Sequence, residues 1–191
     1  MARRIILLGL SLFFAAAAHA EEKLAMPMFP GGWIEAFARR GDQEVVEYVP
    51  PGQNAESWQR KITIEVYRDL KNLPLDTLQR RAAAQNRDAC TGVREGAFQS
   101  GVNNGFASAF WTLGCERDRA SGFGETRFTK AIQGAAQLYL LSYVLRTQPY
   151  GKAGPGLTPH EVDEVMAFLT SSVLCDPARG PSPCPAEPAK Q

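Results

Sequence analysis

The sequence has little histidine and no marked excess of charge of either sign. Two histidines occur among 191 residues, and 21 basic residues balance 20 acidic ones, which gives a formal net charge of +1 at pH 7. Proteins that bind nucleic acid through its phosphates usually carry a clear surplus of Lys and Arg, so this composition disfavours nucleic acid as a partner. With 45% hydrophobic and 21% charged residues, the chain is typical of a globular protein, and its length indicates one domain.

The sequence also lacks the short motifs of common catalytic and cofactor sites. It contains no G-x-S-x-G elbow, P-loop, G-x-G-x-x-G, H-E-x-x-H or EF-hand loop. A Ser–His–Asp site would need His160, which we expect to face solvent in the first turn of a helix. Paired carboxylates are an alternative basis for hydrolysis, but the strand glutamates are expected to face solvent; they are Glu35, Glu47, Glu65, Glu95 and Glu125. We therefore assign no catalytic, cofactor-binding or metal-binding residue and favour a protein that is not an enzyme.

The N-terminus has the pattern of a secretory signal peptide. Arg3 and Arg4 precede an apolar run from Ile5 to Ala18, and Ala18-His19-Ala20 places small residues where a signal peptidase requires them. The run is shorter than the roughly 20 residues that span a bilayer, although a membrane anchor remains the alternative. We predict cleavage after Ala20, which leaves a mature chain of 171 residues (191 minus 20) in the periplasm or outside the cell, with no transmembrane anchor.

Four cysteines lie in the part of the chain that we predict to be exported: Cys90, Cys115, Cys175 and Cys184. An even number of cysteines in an oxidising compartment favours disulfide bonds over free thiols. Of the three connectivities we prefer Cys90–Cys115 with Cys175–Cys184, because each bond closes a local loop. A zinc site is the alternative, but the chain has no C-x-x-C pair.

Alternating and helical periodicities follow one another along the chain. They predict strands at 33–40, 44–50, 60–68, 93–99, 106–116, 125–133 and 137–147, and helices at 75–90 and after the Thr158 cap. Such a run of hairpins with two helices predicts an α+β fold: a single antiparallel sheet of about six to seven strands, with both helices packed on one face and disulfides as staples. Residues 31–176 form this domain, after a signal peptide at 1–20 and a loosely ordered segment at 21–30. A proline-rich tail follows at 177–191.

Several aromatic residues fall on the predicted strands and could line an apolar pocket or an interface. The candidates are Trp33, Trp58, Trp111, Tyr139 and Tyr143. Aromatic residues on alternating strands also fill protein cores, and that interpretation remains the alternative.

One stretch of the sequence resembles a known group of proteins. Glu47-Tyr48-Val49-Pro50, then Gly52-Gln53, then Trp58 leading into Ile62-Thr63-Ile64, resembles a segment of uncharacterised secreted proteobacterial proteins. Those proteins are similar in element order to small PsbP/Mog1-like α+β proteins. The resemblance implies a non-enzymatic accessory or binding role, and it supplies no catalytic residue.

We therefore expect an exported accessory or interaction protein whose partner is another envelope protein, within a larger envelope assembly. The alternative is a periplasmic protein that binds a small ligand or a lipid in an apolar pocket between sheet and helices. A third hypothesis is a hydrolase that acts on cell-wall or sugar substrates through carboxylates. An exposed apolar patch would favour the first, an enclosed cavity the second, and two carboxylates about 5–9 Å apart in a cleft the third.

Overall fold

The computed structural model describes residues 22–27, 29, 32–177 and 182–185. The predicted signal peptide, its cleavage site and most of the predicted proline-rich tail lie outside these residues. No helix within the described ranges is both long and apolar enough to cross a membrane.

The described residues form strands and two helices in an order close to the one that the sequence predicts. The elements are β1 (Lys23–Ala25), β2 (Ile34–Arg39), β3 (Gln43–Val49), β4 (Arg60–Tyr67), α1 (Leu75–Ala89), β5 (Val93–Glu95), β6 (Gln99–Asn103), β7 (Phe106–Cys115), β8 (Gly124–Gln133), β9 (Leu138–Thr147), α2 (Pro159–Ser171) and β10 (Val173–Cys175).

A large antiparallel sheet contains eight of these strands. Its order is β2-β3-β4-β9-β8-β7-β5, and β6 also pairs with β7, so β5 and β6 follow each other along the same side of β7. Strands β1 and β10 form a separate two-stranded sheet. The α+β class and both disulfides, Cys90–Cys115 and Cys175–Cys184, are confirmed. The prediction of a single sheet of six to seven strands is wrong.

The additional strand of the large sheet results from a break in the predicted strand 93–99. The three residues between β5 and β6 lie opposite only two residues of β7, so the chain bulges there. Gly96 donates its N–H to the carbonyl of Thr112 at 3.0 Å, and a Cβ at Gly96 would collide with the Thr112 side chain. Any other residue at this position would therefore require the Thr112 side chain to move.

The second sheet joins the two ends of the described chain. Strand β1 pairs with β10 in antiparallel register, from Lys23 opposite Cys175 to Ala25 opposite Val173. The paired strand β1 differs from the expectation that residues 21–30 are loosely ordered. Pairing partners about 150 positions apart leave no local signal in the sequence, which is why the expectation did not include this sheet.

Helix α1 packs on one face of the large sheet. Pro74 precedes its first turn, and its buried residues Leu75, Leu78 and Ala83 belong to the same core cluster as Trp111 and Leu113 of β7. Cys90 follows directly and is bonded to Cys115 at the end of β7, which fixes the C-terminal end of the helix against the sheet.

Helix α2 packs on the opposite face, so the expectation of both helices on one face is wrong. Val165, Phe168 and Leu169 of this helix contact a cluster that contains Leu141 and Tyr143 of β9. Because β9 is buried along almost its whole length, alternate side chains point to α1 and to α2. A central strand covered on both faces explains why its sequence is almost continuously apolar.

Candidate functional site

The five aromatic residues singled out in the sequence lie in four different clusters. Trp33 and Tyr143 contact each other on the α2 face, with ring centroids 5.7 Å apart. Trp111 lies under α1, and Tyr139 packs beside the two-stranded sheet. Trp58 belongs to a small cluster at the end of β3 and β9. The structure therefore does not assemble these residues into one pocket, and of the five only Trp58 lines a cleft described below.

An open cleft of about 600 Å³ lies at one end of the large sheet. We call it the Arg146 cleft. Its walls are the β3–β4 loop, the β7–β8 loop and the end of β9. It is lined by Gly52, Gln53, Glu56, Ser57, Trp58, Gln59, Phe123, Arg146, Thr147 and Gln148. These residues come from three separate parts of the chain, which meet because β4, β8 and β9 are neighbours in the sheet.

The β3–β4 loop is held by a tight turn and a side-chain bridge. Gln53 donates its backbone N–H to the carbonyl of Pro50 at 3.1 Å, and Gly52 between them has φ +82°, as the third residue of a type II turn requires. The side-chain oxygen of Gln53 then accepts the backbone N–H of Gln59 at 2.7 Å. This bond closes the part of the loop that carries Trp58.

Both loops of the cleft are also fixed by side chains that accept backbone hydrogen bonds. Asn54 Oδ1 accepts the amides two and three residues further along, at 2.9 and 2.7 Å. Asp118 Oδ1 does the same in the β7–β8 loop, at 3.1 and 2.7 Å, and these bonds lower the pKa of that carboxyl below its usual value. The backbone N–H of Asp118 also donates to the carbonyl of Phe123 at 2.8 Å. The cleft walls are thus preorganised.

Arg146 lies between the two aromatic walls. Its guanidinium carbon is 3.9 Å from the ring centre of Trp58 and 5.1 Å from that of Phe123. Nη1 donates to the backbone carbonyl of Glu56 at 3.3 Å, and Nη2 donates to Glu125 Oε1 at 3.4 Å. Nε is buried and has no hydrogen-bond partner among the described residues. Both bonds that the guanidinium makes are long, so its donors are incompletely satisfied.

A second cation also contacts Trp58. Lys61 Nζ lies 4.6 Å from the ring centre and forms an ion pair with Glu47 Oε1 at 2.8 Å. Cations above an aromatic ring are attracted by its electron-rich face. Trp58 is therefore a structural support for both Lys61 and Arg146, and its own ring is buried.

A smaller groove of about 310 Å³ lies between strand β6 and helix α2, and we call it the β6 groove. Its floor includes Phe110 and Lys130, and its helical wall includes Met166 and Leu169. Lys130 Nζ donates at 2.7 Å to two carbonyls at the C-terminal end of α2, those of Leu169 and Ser172. Burial lowers the pKa of Lys130 to about 8, while the two carbonyls favour the ammonium form, so the group is protonated at neutral pH.

The large exposed apolar side chains concentrate on the two edges of the large sheet. Val102 on β6 is 76% exposed, and Phe98 precedes the same strand. Ile34 and Phe37 on β2 are 47% and 44% exposed. Phe123 at the Arg146 cleft belongs to the same exposed group. Apolar side chains exposed beside unpaired strand edges are typical of protein-binding surfaces.

Most of the strand glutamates considered for hydrolysis already bind a partner side chain on the sheet or on α1. Four of them pair with a cation or a tyrosine: Glu47 with Lys61, Glu65 with Tyr67, Glu95 with Arg87, and Glu125 with Arg146. Glu56 is the single carboxylate among the lining residues of the two clefts. His160 lies exposed in the first turn of α2. Neither cleft thus brings two carboxylates together.

One cluster of metal-binding residue types is present among the described residues. The side chains of Cys90, Cys115 and Asp118 approach within 4.8 Å of one another. Both sulfurs are joined in a disulfide, which removes the thiolates that zinc needs. This cluster is a structural staple.

No family model matches the sequence, and no curated protein matches it. Among solved structures, the chain is similar to PA94 from Pseudomonas aeruginosa, a protein of unknown function, with a TM-score of 0.48, 13% identity, and coverage of 77% of this chain and 94% of that one. It is also similar to the Ran-binding protein Mog1p of Saccharomyces cerevisiae, with a TM-score of 0.43, 12% identity, and coverage of 78% and 84%. A mutant of Mog1 is similar with a TM-score of 0.42 and 11% identity, over 79% of this chain and 86% of that one. The weak resemblance to Mog1-like proteins is confirmed, but at TM-scores below 0.5 it carries no argument about function.

Arg146, Phe123 and Lys130 were not among the site residues predicted from the sequence. A signal for two of them exists. Arg146 directly follows the apolar run of β9, and Lys130 interrupts the buried residues of β8. A cation among the buried residues of a strand indicates a specific partner, because a buried charge is costly unless it is paired.

Proposed function

We propose that the protein is an exported, non-enzymatic accessory protein that binds an extended segment of another envelope protein as an added strand along β6. The observation that carries this proposal is the unprotected edge of β6 beside the β6 groove. Main-chain hydrogen bonds along such an edge provide affinity, and a neighbouring groove provides side-chain specificity.

Strand β6 lacks the devices that normally protect a sheet edge. It reads Gln99-Ser100-Gly101-Val102-Asn103, with no charge and no proline, and its own pairing with β7 is continuous. Strand β2 at the opposite edge differs, because its pairing is irregular between Glu35 and Phe37 and it ends at Arg39, which Arg40 follows. Bulges and charges discourage strand addition, so β6 is the more receptive edge.

The hairpin geometry identifies the backbone groups that a partner would meet. The two-residue turn Asn104-Gly105 makes Asn103 and Phe106 a hydrogen-bonded pair, and such pairs alternate along an antiparallel ladder. The N–H and C=O groups of Ser100 and Val102 therefore point away from β7. No backbone hydrogen bond to another described residue occupies them.

The β6 groove offers contacts for alternate side chains of the added strand. Phe110 and Met166 provide apolar surface, and the Lys130 ammonium has one proton beyond the two that it donates to carbonyls. The partner segment is therefore one that alternates apolar side chains and carries an acceptor or an acidic group opposite Lys130.

Export to the envelope is supported by the cysteine chemistry. Two disulfides and no free cysteine occur among the described residues, which is compatible with an oxidising compartment. The predicted signal peptide would direct the protein across the inner membrane. Neither cleft contains a pair of catalytic groups. Binding another envelope protein is the simplest role for an exported protein with these features.

The test is site-specific photo-crosslinking in cells that express the exported protein. A photoreactive residue at Val102 is expected to give one discrete adduct, and the same residue at Gln85, exposed on α1, is expected to give none. Adding Ser100→Pro removes one outward N–H without touching the ladder to β7, and it should abolish the adduct. Ser100→Ala keeps that N–H and should preserve the adduct.

Two results would contradict the proposal. One is an adduct at Val102 that Ser100→Pro leaves unchanged while the protein remains folded, because strand addition requires that donor. The other is equal labelling at Val102 and Gln85, which is what random collisions with abundant proteins would produce.

A further inference from the structure

The Arg146 cleft is a second feature, separate in space from the β6 edge, and its chemistry differs from that of a protein-binding edge. We infer that it is a binding site for small organic carboxylates, with Arg146 as the residue that receives the carboxylate. This inference does not depend on strand addition at β6.

Arg146 has hydrogen-bond donors that its present partners leave unused. A guanidinium carries five N–H groups, and here two are used, both in hydrogen bonds of 3.3 Å or more. Its ion-pair partner Glu125 is not among the lining residues of the cleft, whereas Arg146 is. A ligand carboxylate at normal hydrogen-bond distance would satisfy these donors better than the present partners do.

The orientation of the Arg146 guanidinium is restricted by its neighbours. Trp58 and Phe123 both contact the guanidinium, and hydrogen bonds inside both loops hold the backbone that carries these two residues. The side chain of Arg146 is only 13% exposed, so it loses little conformational freedom when a ligand binds. Preorganised guanidinium groups of this kind suit the planar, two-oxygen geometry of a carboxylate.

The rest of the cleft wall offers both polar and apolar groups. The side-chain amides of Gln59 and Gln148 line the cleft, are exposed, and make no hydrogen bond to other described residues. Phe123 adds an exposed apolar ring. Amides and a ring around one cation suit an organic acid whose body carries hydroxyl, amide or apolar groups.

The charge count favours a carboxylate over a phosphate. Arg146 is the single cation among the lining residues, and Glu56 is the single anion. The nearby amides that could cradle a phosphate are already bound by Asn54. A dianionic phosphate usually needs several cations or a nest of free N–H groups, so a monoanion is the better match.

The carboxylate could belong to a sugar acid, to the free end of a peptide or to an aromatic acid, and the experiment separates these sources. The probes are D-glucuronate, N-acetyl-alanine and benzoate, each paired with a neutral analogue: glucose, N-acetyl-alaninamide and benzamide. Binding to the mature, oxidised protein is followed by tryptophan fluorescence and by the NMR signal of Arg146 Nε–H. At least one carboxylate should bind and shift this signal, and its neutral analogue should bind at least about tenfold more weakly.

The variants test whether Arg146 carries the binding. The double variant Arg146→Gln/Glu125→Gln removes both members of the ion pair, so no unpaired charge remains on the sheet, and it should weaken carboxylate binding about tenfold or more. Arg127→Gln is the matched control, since Arg127 lies on the neighbouring strand, points to the same face and does not line the cleft. Its binding should be unchanged.

Phe123→Ala provides a second variant that does not depend on the fold tolerating the loss of a buried charge. Phe123 is exposed, so the fold should persist while affinity falls several-fold. The inference is overturned if neutral analogues bind as well as the carboxylates, if none of the three carboxylates moves the Arg146 signal at millimolar concentration, or if Arg127→Gln weakens binding as much as the double variant does.

Discussion

Asn104 shows how one side chain connects three parts of this molecule. It occupies the hairpin turn between β6 and β7 with φ +49°, and its Nδ2 donates to the carbonyls of Leu174 and Pro183 at 2.9 and 3.0 Å. These bonds join the turn to β10 and to the loop that the second disulfide closes. A non-glycine residue with positive φ is unusual, and Asn tolerates it better than most.

We predict that Asn104→Ala lowers the free energy of unfolding by about 2–3 kcal/mol, because it removes two hydrogen bonds and places an alanine at positive φ. Urea denaturation of the oxidised protein measures this. Asn104→Gly is the matched control, since glycine accepts the backbone conformation and loses only the hydrogen bonds. Its cost should be about 1–2 kcal/mol. If glycine and alanine cost the same, the backbone conformation contributes nothing at this position.

Some residues of the Arg146 cleft could be predicted from the sequence and others could not. Trp58 was a sensible candidate because a tryptophan is rare and large. Arg146 was not recognised as one, because its role depends on Phe123 and Glu125, which reach it only through the pairing of β8 with β9. The chemistry of a residue can be read from the sequence, whereas its neighbours across a sheet cannot.

At the scale of elements, helix α2 owes its start to a pair of reciprocal hydrogen bonds. Thr158 Oγ1 accepts the backbone N–H of Glu161 at 3.2 Å, and Glu161 Oε2 accepts the backbone N–H of Thr158 at 2.9 Å. These bonds to Thr158 lower the pKa of Glu161 below its usual 4.5. The contribution of Glu161 to stability is therefore complete above the pKa of the unfolded chain, and it is lost as pH falls through the lower pKa of the folded state.

We predict that Glu161→Gln reduces the free energy of unfolding at pH 7 and that this difference from the wild type shrinks as pH falls below about 4.5. Denaturant titrations from pH 7 to about pH 3 measure the difference. In a Thr158→Ala background Glu161 loses the hydrogen bond from the hydroxyl but keeps the one from the backbone N–H of residue 158, so Glu161→Gln should have a smaller effect that still shrinks at acid pH. A difference that grows at acid pH would contradict the assigned sign.

The Cys90–Cys115 bond is the clearest case of one element fastened to another. It joins the end of α1 to the end of β7 across a sequence separation of 25 residues. We predict that Cys115→Ser lowers the melting temperature by about 10 °C, because a loop of this length contributes about 3.5 kcal/mol on chain-entropy grounds. Calorimetry measures the shift, and Cys90 should then react with a thiol reagent.

The shorter Cys175–Cys184 loop provides the comparison. Its separation of 9 residues predicts a smaller contribution of about 2.5 kcal/mol. Cys184→Ser should therefore cost less than Cys115→Ser. The reverse order would mean that native contacts around β10, rather than loop length, determine what each disulfide contributes.

Elements with local signals were predictable, and elements with distant partners were not. The Thr158 cap with Pro159 after it, and the Asn104-Gly105 turn, are local patterns that correctly placed α2 and one hairpin. The break at Gly96 depends on its fit against Thr112, and β1 depends on β10 at the far end of the chain. Both are tertiary relations, so periodicity over a short window cannot contain them.

At the scale of the whole molecule, the position of the helices was the main fold-level error. The sequence shows an apolar stripe on each helix, but a stripe does not specify which face of the sheet it covers. Strand β9 determines where the helices pack, because its buried side chains on both faces require a helix on each side. A strand that is apolar at nearly every position is evidence for cover on both faces.

The two candidate surfaces also follow from the whole molecule. The β6 edge ends the sheet, and the Arg146 cleft forms where loops from the middle of the sheet meet at one end. They share no lining residue, so a partner at β6 and a small acid in the cleft can be bound together. The class of function that we propose was already predicted from the sequence. Neither surface was predicted, because both surfaces depend on the order of the strands in the sheet.

Native mass spectrometry of the protein from its own envelope fraction tests export and partner binding together. Cleavage after Ala20 with both disulfides formed requires a mass of 171 residues (191 minus 20) less four hydrogens. We expect that mass together with a heavier species containing a second protein, and we expect Ser100→Pro to remove the heavier species alone. A full-length mass would contradict the signal peptide, and a heavier species that persists in Ser100→Pro would place the partner elsewhere than on β6.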